Sequence, residues 1–86
     1  MDELRKLPNL GPVLADNLHA IGVDTPDQLR DLGAVEAFSR IRMGVDPGAC
    51  LHQLQALEGA IEGVRKTQLS PEKKKELADY FQSLKR

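Results

Sequence analysis

The chain has 86 residues, of which 41% are hydrophobic and 29% charged, and its net charge is −1. This composition excludes intrinsically disordered and fibrous proteins and fits one small domain over residues 1–86. No apolar run reaches the roughly 20 residues of a membrane span, and the acidic N-terminus does not resemble a secretory signal. The single cysteine, Cys50, cannot form an internal disulfide, so we expect a cytoplasmic protein that contacts no membrane.

Charge is distributed unevenly along the sequence. Residues 1–64 hold five basic side chains against ten acidic ones, a balance of −5, whereas residues 65–86 hold seven against three, a balance of +4. We therefore expect polyanions to be attracted mainly to the C-terminal quarter. For the three consecutive lysines at residues 73–75, a solvated helix face is the alternative explanation.

The first third of the chain predicts three short helices separated by proline and glycine. A helix over residues 2–7 stops at the proline that follows, and a second helix begins at Pro12 and ends at Gly22 in the left-handed conformation. Thr25 caps the third helix, and Gln28 completes a capping box. The apolar positions of the second and third helices are Leu14, Leu18, Ile21, Leu29 and Leu32.

Three further helices are predicted in the rest of the chain. A fourth helix covers residues 34–43, Asp46 and Pro47 repeat the cap-plus-proline arrangement at the start of the longest helix, and Ser70 caps the last. Their inward-facing positions are Val35, Phe38 and Ile41; then Cys50, Leu51, Leu54, Leu57, Ile61 and Val64; then Leu77, Tyr80, Phe81 and Leu84. The expected fold class is all-α, a small bundle of about six short helices.

Side chains that could carry catalysis are few. His19 and His52 have no metal-ligand spacing with each other or with Cys50. Cys50 falls on the apolar stripe of its helix and is predicted to be a small core residue. Since no glycine-rich loop carries a phosphate-binding lysine either, we expect no enzyme activity, no cofactor and no metal.

One segment near the N-terminus predicts a binding site. Residues 7–12, Leu-Pro-Asn-Leu-Gly-Pro, join two short helices by a tight turn, and backbone amides at the start of a helix bind phosphate without reading a base. The pattern resembles the helix-hairpin-helix motif of sequence-independent DNA-binding proteins, over about residues 2–33. The nucleic-acid-binding residues that we expect are Asn9, Leu10, Gly11 and Val13 in the hairpin, flanked by Arg5, Lys6 and His19.

Two positions depart from the pattern of DNA-binding hairpins. Asn9 stands where glycine is usual, although asparagine tolerates the left-handed conformation better than most residues. Val13 stands where a lysine or arginine is usual, and residues 1–22 carry a balance of −1. Since affinity for the phosphate backbone depends on neutralising cations, we expect weak DNA binding. A hairpin that only connects two helices is the alternative.

Three later segments extend the resemblance to a family. They are Leu-Arg-Asp-Leu-Gly-Ala-Val-Glu-Ala-Phe at residues 29–38, Leu-Glu-Gly-Ala-Ile-Glu-Gly at 57–63 and Leu-Ser-Pro-Glu-Lys at 69–73. Together with the hairpin they look like the C-terminal domain of the TfoX/Sxy family, from about Leu4 to Leu84. The resemblance implies a bacterial cytoplasmic protein associated with regulating genes for natural competence and DNA uptake. Members often carry a separate N-terminal domain, and the similarity here covers the C-terminal domain alone.

Two functions follow from these observations. The first is a non-enzymatic regulatory or accessory module that touches DNA weakly, through the phosphate backbone, at the hairpin. The second is a protein-interaction module that binds a transcription factor, a polymerase subunit or another copy of itself, with a purely structural hairpin. A negative first three-quarters and a positive C-terminal quarter suit such a protein partner.

Overall fold

The computed structural model describes residues 2–84, which form helices and no strands. Five of the helices are α-helical and two are short 3₁₀ helices, η1 and η2. In chain order they are η1 (Glu3–Lys6), α1 (Pro12–Ala20), α2 (Pro26–Leu32), α3 (Ala34–Gly44), α4 (Leu51–Glu62), η2 (Lys66–Gln68) and α5 (Pro71–Ser83). The all-α prediction is confirmed, and the number of helices is close to the six expected.

Several predicted helix ends are confirmed. The Oγ1 of Thr25 accepts a hydrogen bond from the Gln28 amide at 3.1 Å, while the Gln28 side chain accepts from the Thr25 amide, so the capping box is complete. Ser70 caps α5 by accepting from the Lys73 amide. At the end of α1, Gly22 has a φ of 88°, the left-handed conformation that lets the chain reverse.

The core is built around α4, which packs against α2, α3, α5 and η2. Leu54 and Leu57 of α4 are fully buried, as are Phe38 and Ile41 of α3. Phe38 also meets Phe81 of α5 with ring centroids 6.0 Å apart. The apolar stripe predicted for the longest helix is therefore the centre of the fold.

The predicted start of the longest helix is wrong. Asp46 and Pro47 lie in a turn, in which Asp46 Oδ1 accepts from the Gly48 amide and Asp46 O from the Ala49 amide, both at 3.0 Å. Asp46 therefore serves an Asx turn, a role that uses the same residue types as a helix cap. The helix begins four residues later at Leu51, with Cys50 as its N-cap. Cys50 is exposed, so its predicted place in the core is also wrong.

The predicted inward position of Val35 is also wrong, because 38% of its surface is exposed, whereas Phe38 and Ile41 on the same helix are fully buried. Gly33 is at once the last cap of α2 and the first cap of α3. Val35 lies in the first turn of α3, next to the buried Ala34. The buried stripe of this helix is Ala34, Ala37, Phe38 and Ile41, and Val35 lies beside it.

Candidate nucleic-acid interface

The hairpin consists of η1, the loop at residues 7–11 and α1. Pro8 disfavours helical geometry at the residue before it, and Leu7 is extended, with φ −77° and ψ 147°. Asn9 then takes a φ of 72°, the only positive φ of a non-glycine residue among residues 2–84. This places Leu10 in the core with 5% exposure and leads the chain into α1. The left-handed turn expected at Asn9 is confirmed.

The N-terminus of α1 is open to solvent. Gly11 is its N-cap and, having no side chain, leaves the amides of the first turn without a side-chain cap. Gly11 is exposed, and a Cβ placed on it would meet nothing within 4 Å, so no other part of the fold crowds this side of its backbone. Val13, in the first turn, is 70% exposed. The geometry can therefore hold an anion, which the positive end of the helix dipole attracts.

The side chain of Asn9 is not available to a ligand, because it binds the rest of the fold. Its Nδ2 donates to Val64 O at 2.9 Å, with a longer contact of 3.5 Å to Ala56 O, and its Oδ1 accepts from the Lys66 amide at 3.0 Å. We call this set of bonds the Asn9 clamp. It connects the hairpin loop to the end of α4 and the start of η2, and so it positions the loop.

Gly59 makes room for the Asn9 clamp. A Cβ at this position of α4 would lie 2.5 Å from Asn9 Nδ2 and 2.8 Å from Val64 O, closer than atoms can pack. Sequence reasoning missed the clamp. Its one signal was a glycine inside a strongly helical segment, which costs stability and often marks a close approach of another part of the chain.

His19, expected beside the hairpin, lies at the other end of α1, about 10 Å along the helix axis from Pro12. Its Nδ1 is 2.7 Å from Asp24 Oδ1 and its Nε2 is 2.9 Å from Asp2 Oδ2. Carboxylates only accept hydrogen bonds, so both contacts are satisfied by the doubly protonated ring. Asp24 first, and then Asp2, raise the pKa of His19, and His19 lowers the pKa of Asp2. The structure therefore brings His19 together with two acids and not with residues 9–13.

Arg5 and Lys6 lie in the last turn of η1, directly before the hairpin loop, and both are exposed. Neither forms an ion pair with a carboxylate in residues 2–84. An acid opposes them, since Asp16 is exposed one turn into α1. Within η1, the loop and α1, the hairpin itself thus offers open amides and two free cations, but no strong positive field.

Outside the hairpin, the described residues hold few groups suited to chemistry. They contain no cluster of three or more side chains that could hold a metal ion, and none of their helices is long and apolar enough to cross a membrane. Glu58 is the one strongly perturbed carboxyl: burial, followed by its neighbour Glu62, raises its pKa to about 7. Glu58 lies on α4, and the positive charge of Lys73 on α5 opposes the rise in its pKa.

Comparisons with known proteins agree with this fold. Two crystal structures from Listeria monocytogenes, described as an uncharacterized protein (triclinic form) and as a protein of unknown function (tetragonal form), resemble it with TM-scores of 0.93 and 0.91. The first is 45% identical over 95% of this chain and 92% of its own, and the second 46% identical over 94% and 98%. No protein of curated function matches the chain significantly. The model of the TfoX C-terminal domain matches residues 1–81, and the chain therefore belongs to that family.

Proposed function

We propose that this domain is a non-enzymatic regulatory or accessory module that binds duplex DNA weakly and without sequence preference. The contacts are made by the amides of Leu10, Gly11 and Val13, around the N-terminus of α1, with Arg5 and Lys6 beside them. The observation that carries the proposal is an uncapped helix N-terminus at an exposed glycine. Amides of this kind meet phosphate and read no base, which accounts for binding without specificity.

The balance of charge around the hairpin supports the weakness of this binding. DNA affinity grows with the number of phosphates that basic side chains neutralise. Val13 contributes no charge, and Asp16 on the same helix repels phosphate. Membership of the TfoX C-terminal domain family agrees with a regulatory role in a bacterial cell. The proposal includes this role and, within it, the control of competence genes.

The proposal is tested by adding one cation to the hairpin and one to a matched position. Val13→Lys puts an ammonium in the first turn of α1, and Val35→Lys makes the same change at the second residue of α3, which also has no side-chain cap. Fluorescence anisotropy of a labelled duplex at several salt concentrations gives the dependence of log affinity on log salt for each protein. We expect Val13→Lys to steepen this slope by about 0.9 and Val35→Lys to leave it close to that of the wild type.

Chemical shifts of the wild-type amides provide the second readout. Titration with the same duplex should move the amide resonances of residues 8–16 other than the two prolines, with Gly11 and Val13 moving most. Equal slopes for the two lysine variants, together with no movement at these amides, would exclude the hairpin as the binding site.

A protein-interaction module is the second candidate, and an exposed apolar area favours it. Met43, at the end of α3, is 85% exposed, and Val45 beside it is 38% exposed. Exposed apolar clusters often mark protein contacts. Sedimentation velocity over a range of concentrations tests self-association. Association that Met43→Lys abolishes, in a protein whose hairpin amides do not respond to DNA, would favour this second function.

A further inference from the structure

Ten basic side chains lie in residues 2–84, and they fall into three groups. Four of them form ion pairs with acids three or four residues away on the same helix: Arg30, Arg40, Lys73 and Lys75. Two others have different partners, since Arg42 lies over the Phe81 ring, 5.9 Å from its centroid, and Lys74 Nζ donates to Thr67 O at 3.1 Å. The remaining four form no ion pair with any described residue: Arg5, Lys6, Arg65 and Lys66. The positive charge that is free to meet an external anion is therefore confined to a few places.

These four unpaired cations lie on both sides of the hairpin loop. Arg5 and Lys6 precede the loop in sequence. Arg65 and Lys66 are more than fifty residues further on, yet the Lys66 amide donates to the side chain of Asn9 at 3.0 Å. The Asn9 clamp thus holds the start of η2 directly against the loop. Arg65 is exposed, and Lys66 is half-buried.

We infer that Arg65 and Lys66 form the second half of the DNA-binding surface and supply the positive charge that Val13 does not. This inference rests on the proposed function and extends it, because the phosphate backbone of a duplex would then be contacted from both flanks of the hairpin. Both residues belong to the basic C-terminal quarter of the chain, and the Asn9 clamp holds them beside a hairpin that lies in the acidic part of the sequence. Guanidinium and ammonium groups bind phosphate through their charge and read no base.

A charge-removal experiment tests the inference. The double variant Arg65→Gln, Lys66→Gln removes two unpaired cations beside the loop. The matched control, Arg40→Gln with Lys75→Gln, removes two cations that are engaged in ion pairs elsewhere. Anisotropy of a labelled duplex of about 16 base pairs should show a slope of log affinity against log salt reduced by about 1.8 in the first variant, which is 0.9 for each lost contact. The control should keep the wild-type slope.

A charge-preserving variant distinguishes a role of charge from a structural role, and the amide shifts distinguish failure of this inference from failure of the proposed function. Arg65→Lys with Lys66→Arg keeps both charges and should keep the slope, whereas a merely structural role would not be rescued in this way. If the Arg65→Gln, Lys66→Gln variant has the same slope as the control while the Gly11 and Val13 amides still shift, the inference is overturned and the hairpin proposal stands. If those amides do not shift in the wild type, both are overturned.

Discussion

The pattern Leu-x-x-Leu-Gly-x-Val-x-Ala occurs twice in the chain, at residues 7–15 and 29–37, and the two copies fold differently. In the first copy a loop of five residues separates η1 from α1, whereas in the second Gly33 alone separates α2 from α3. Gly33 has a φ of 87°, but the corresponding Gly11 has a φ of −85°. The shared apolar and glycine positions therefore do not decide whether an open hairpin forms.

The residues between the shared positions make the difference. Pro8 ends the first helix early, because it leaves the preceding residue extended. At the corresponding position in the second copy, Arg30 continues α2 and pairs with Asp27 at 3.1 Å. Asn9 then turns the loop, while its counterpart Asp31 is simply an exposed residue of α2. A proline and an asparagine convert a one-residue connection into a loop that exposes amides.

The largest loss of stability is expected from a substitution at Gly59, the residue that makes room for the Asn9 clamp of the first copy. In Gly59→Ala the new Cβ collides with Asn9 Nδ2 and Val64 O, and we expect a loss of about 3 kcal/mol in the free energy of unfolding, in spite of the higher helix propensity of alanine. Gly44→Ala is the control, because a Cβ there meets nothing within 4 Å. Urea denaturation should show Gly44→Ala unchanged or slightly stabilised; equal effects would mean that the clamp is not tightly packed.

The two glycines of the repeated pattern should respond differently to alanine. Gly33 combines a φ of 87° with a ψ of 156°, a region that is nearly closed to other residues, so Gly33→Ala should cost about 2 kcal/mol. Gly11 has ordinary extended geometry and open space around it, so Gly11→Ala should cost only the preference of the N-cap for glycine over alanine, about 0.5–1 kcal/mol. Thermal melts of the two variants measure this, and a similar loss in both would remove the distinction between the copies.

The contribution of the Asn9 clamp to stability can be measured by comparing substitutions of Asn9 and of Asp31, its counterpart in the second copy. Asn9→Gly keeps the left-handed turn but removes the bonds to Val64 and Lys66, which should cost about 1–2 kcal/mol. Asp31→Gly removes no tertiary contact and should cost only a few tenths of a kcal/mol in helix propensity. Chemical denaturation of both variants tests the difference. Should Asn9→Gly prove as mild as Asp31→Gly, the loop would be held by its backbone alone.

The smallest effect concerns pH. His19 occupies the position at which the second copy has the buried Ile41. The raised pKa of His19 gives stability that is complete below about pH 6.5 and lost as pH rises through the folded value. The lowered pKa of Asp2 gives stability that is complete above about pH 4 and lost as pH falls through its folded value. The difference in melting temperature between wild type and His19→Gln should therefore be greatest between these limits. His52 is exposed and forms no ion pair with a described residue, so His52→Gln is the control for loss of an imidazole ring.

Local features of this fold are predictable from sequence because their causes are local. The Thr25 capping box, the Ser70 cap and the turn at Gly22 each depend on residues within five positions of each other. The same reasoning fails at Asp46, since an Asx turn and a helix cap use the same residue types.

Of the candidate site, only the part formed by residues close together in sequence could be predicted. The hairpin turn and its left-handed Asn9 follow from residues 7–12. The Asn9 clamp and the proximity of η2 do not, because their partners are 55 and 57 residues apart and no periodicity relates them. A contact between a polar side chain and a distant backbone group leaves no pattern in the sequence beyond the glycine at Gly59 that makes room for it.

The Asn9 clamp also has a consequence for translation. Ribosomes add about 5–20 residues per second, so the 57 positions between Asn9 and Lys66 take roughly 3–11 s to make. Throughout that interval the Lys66 amide, one partner of the Asn9 side chain, does not yet exist. The Asn9 clamp therefore closes only after most of the domain has been synthesised.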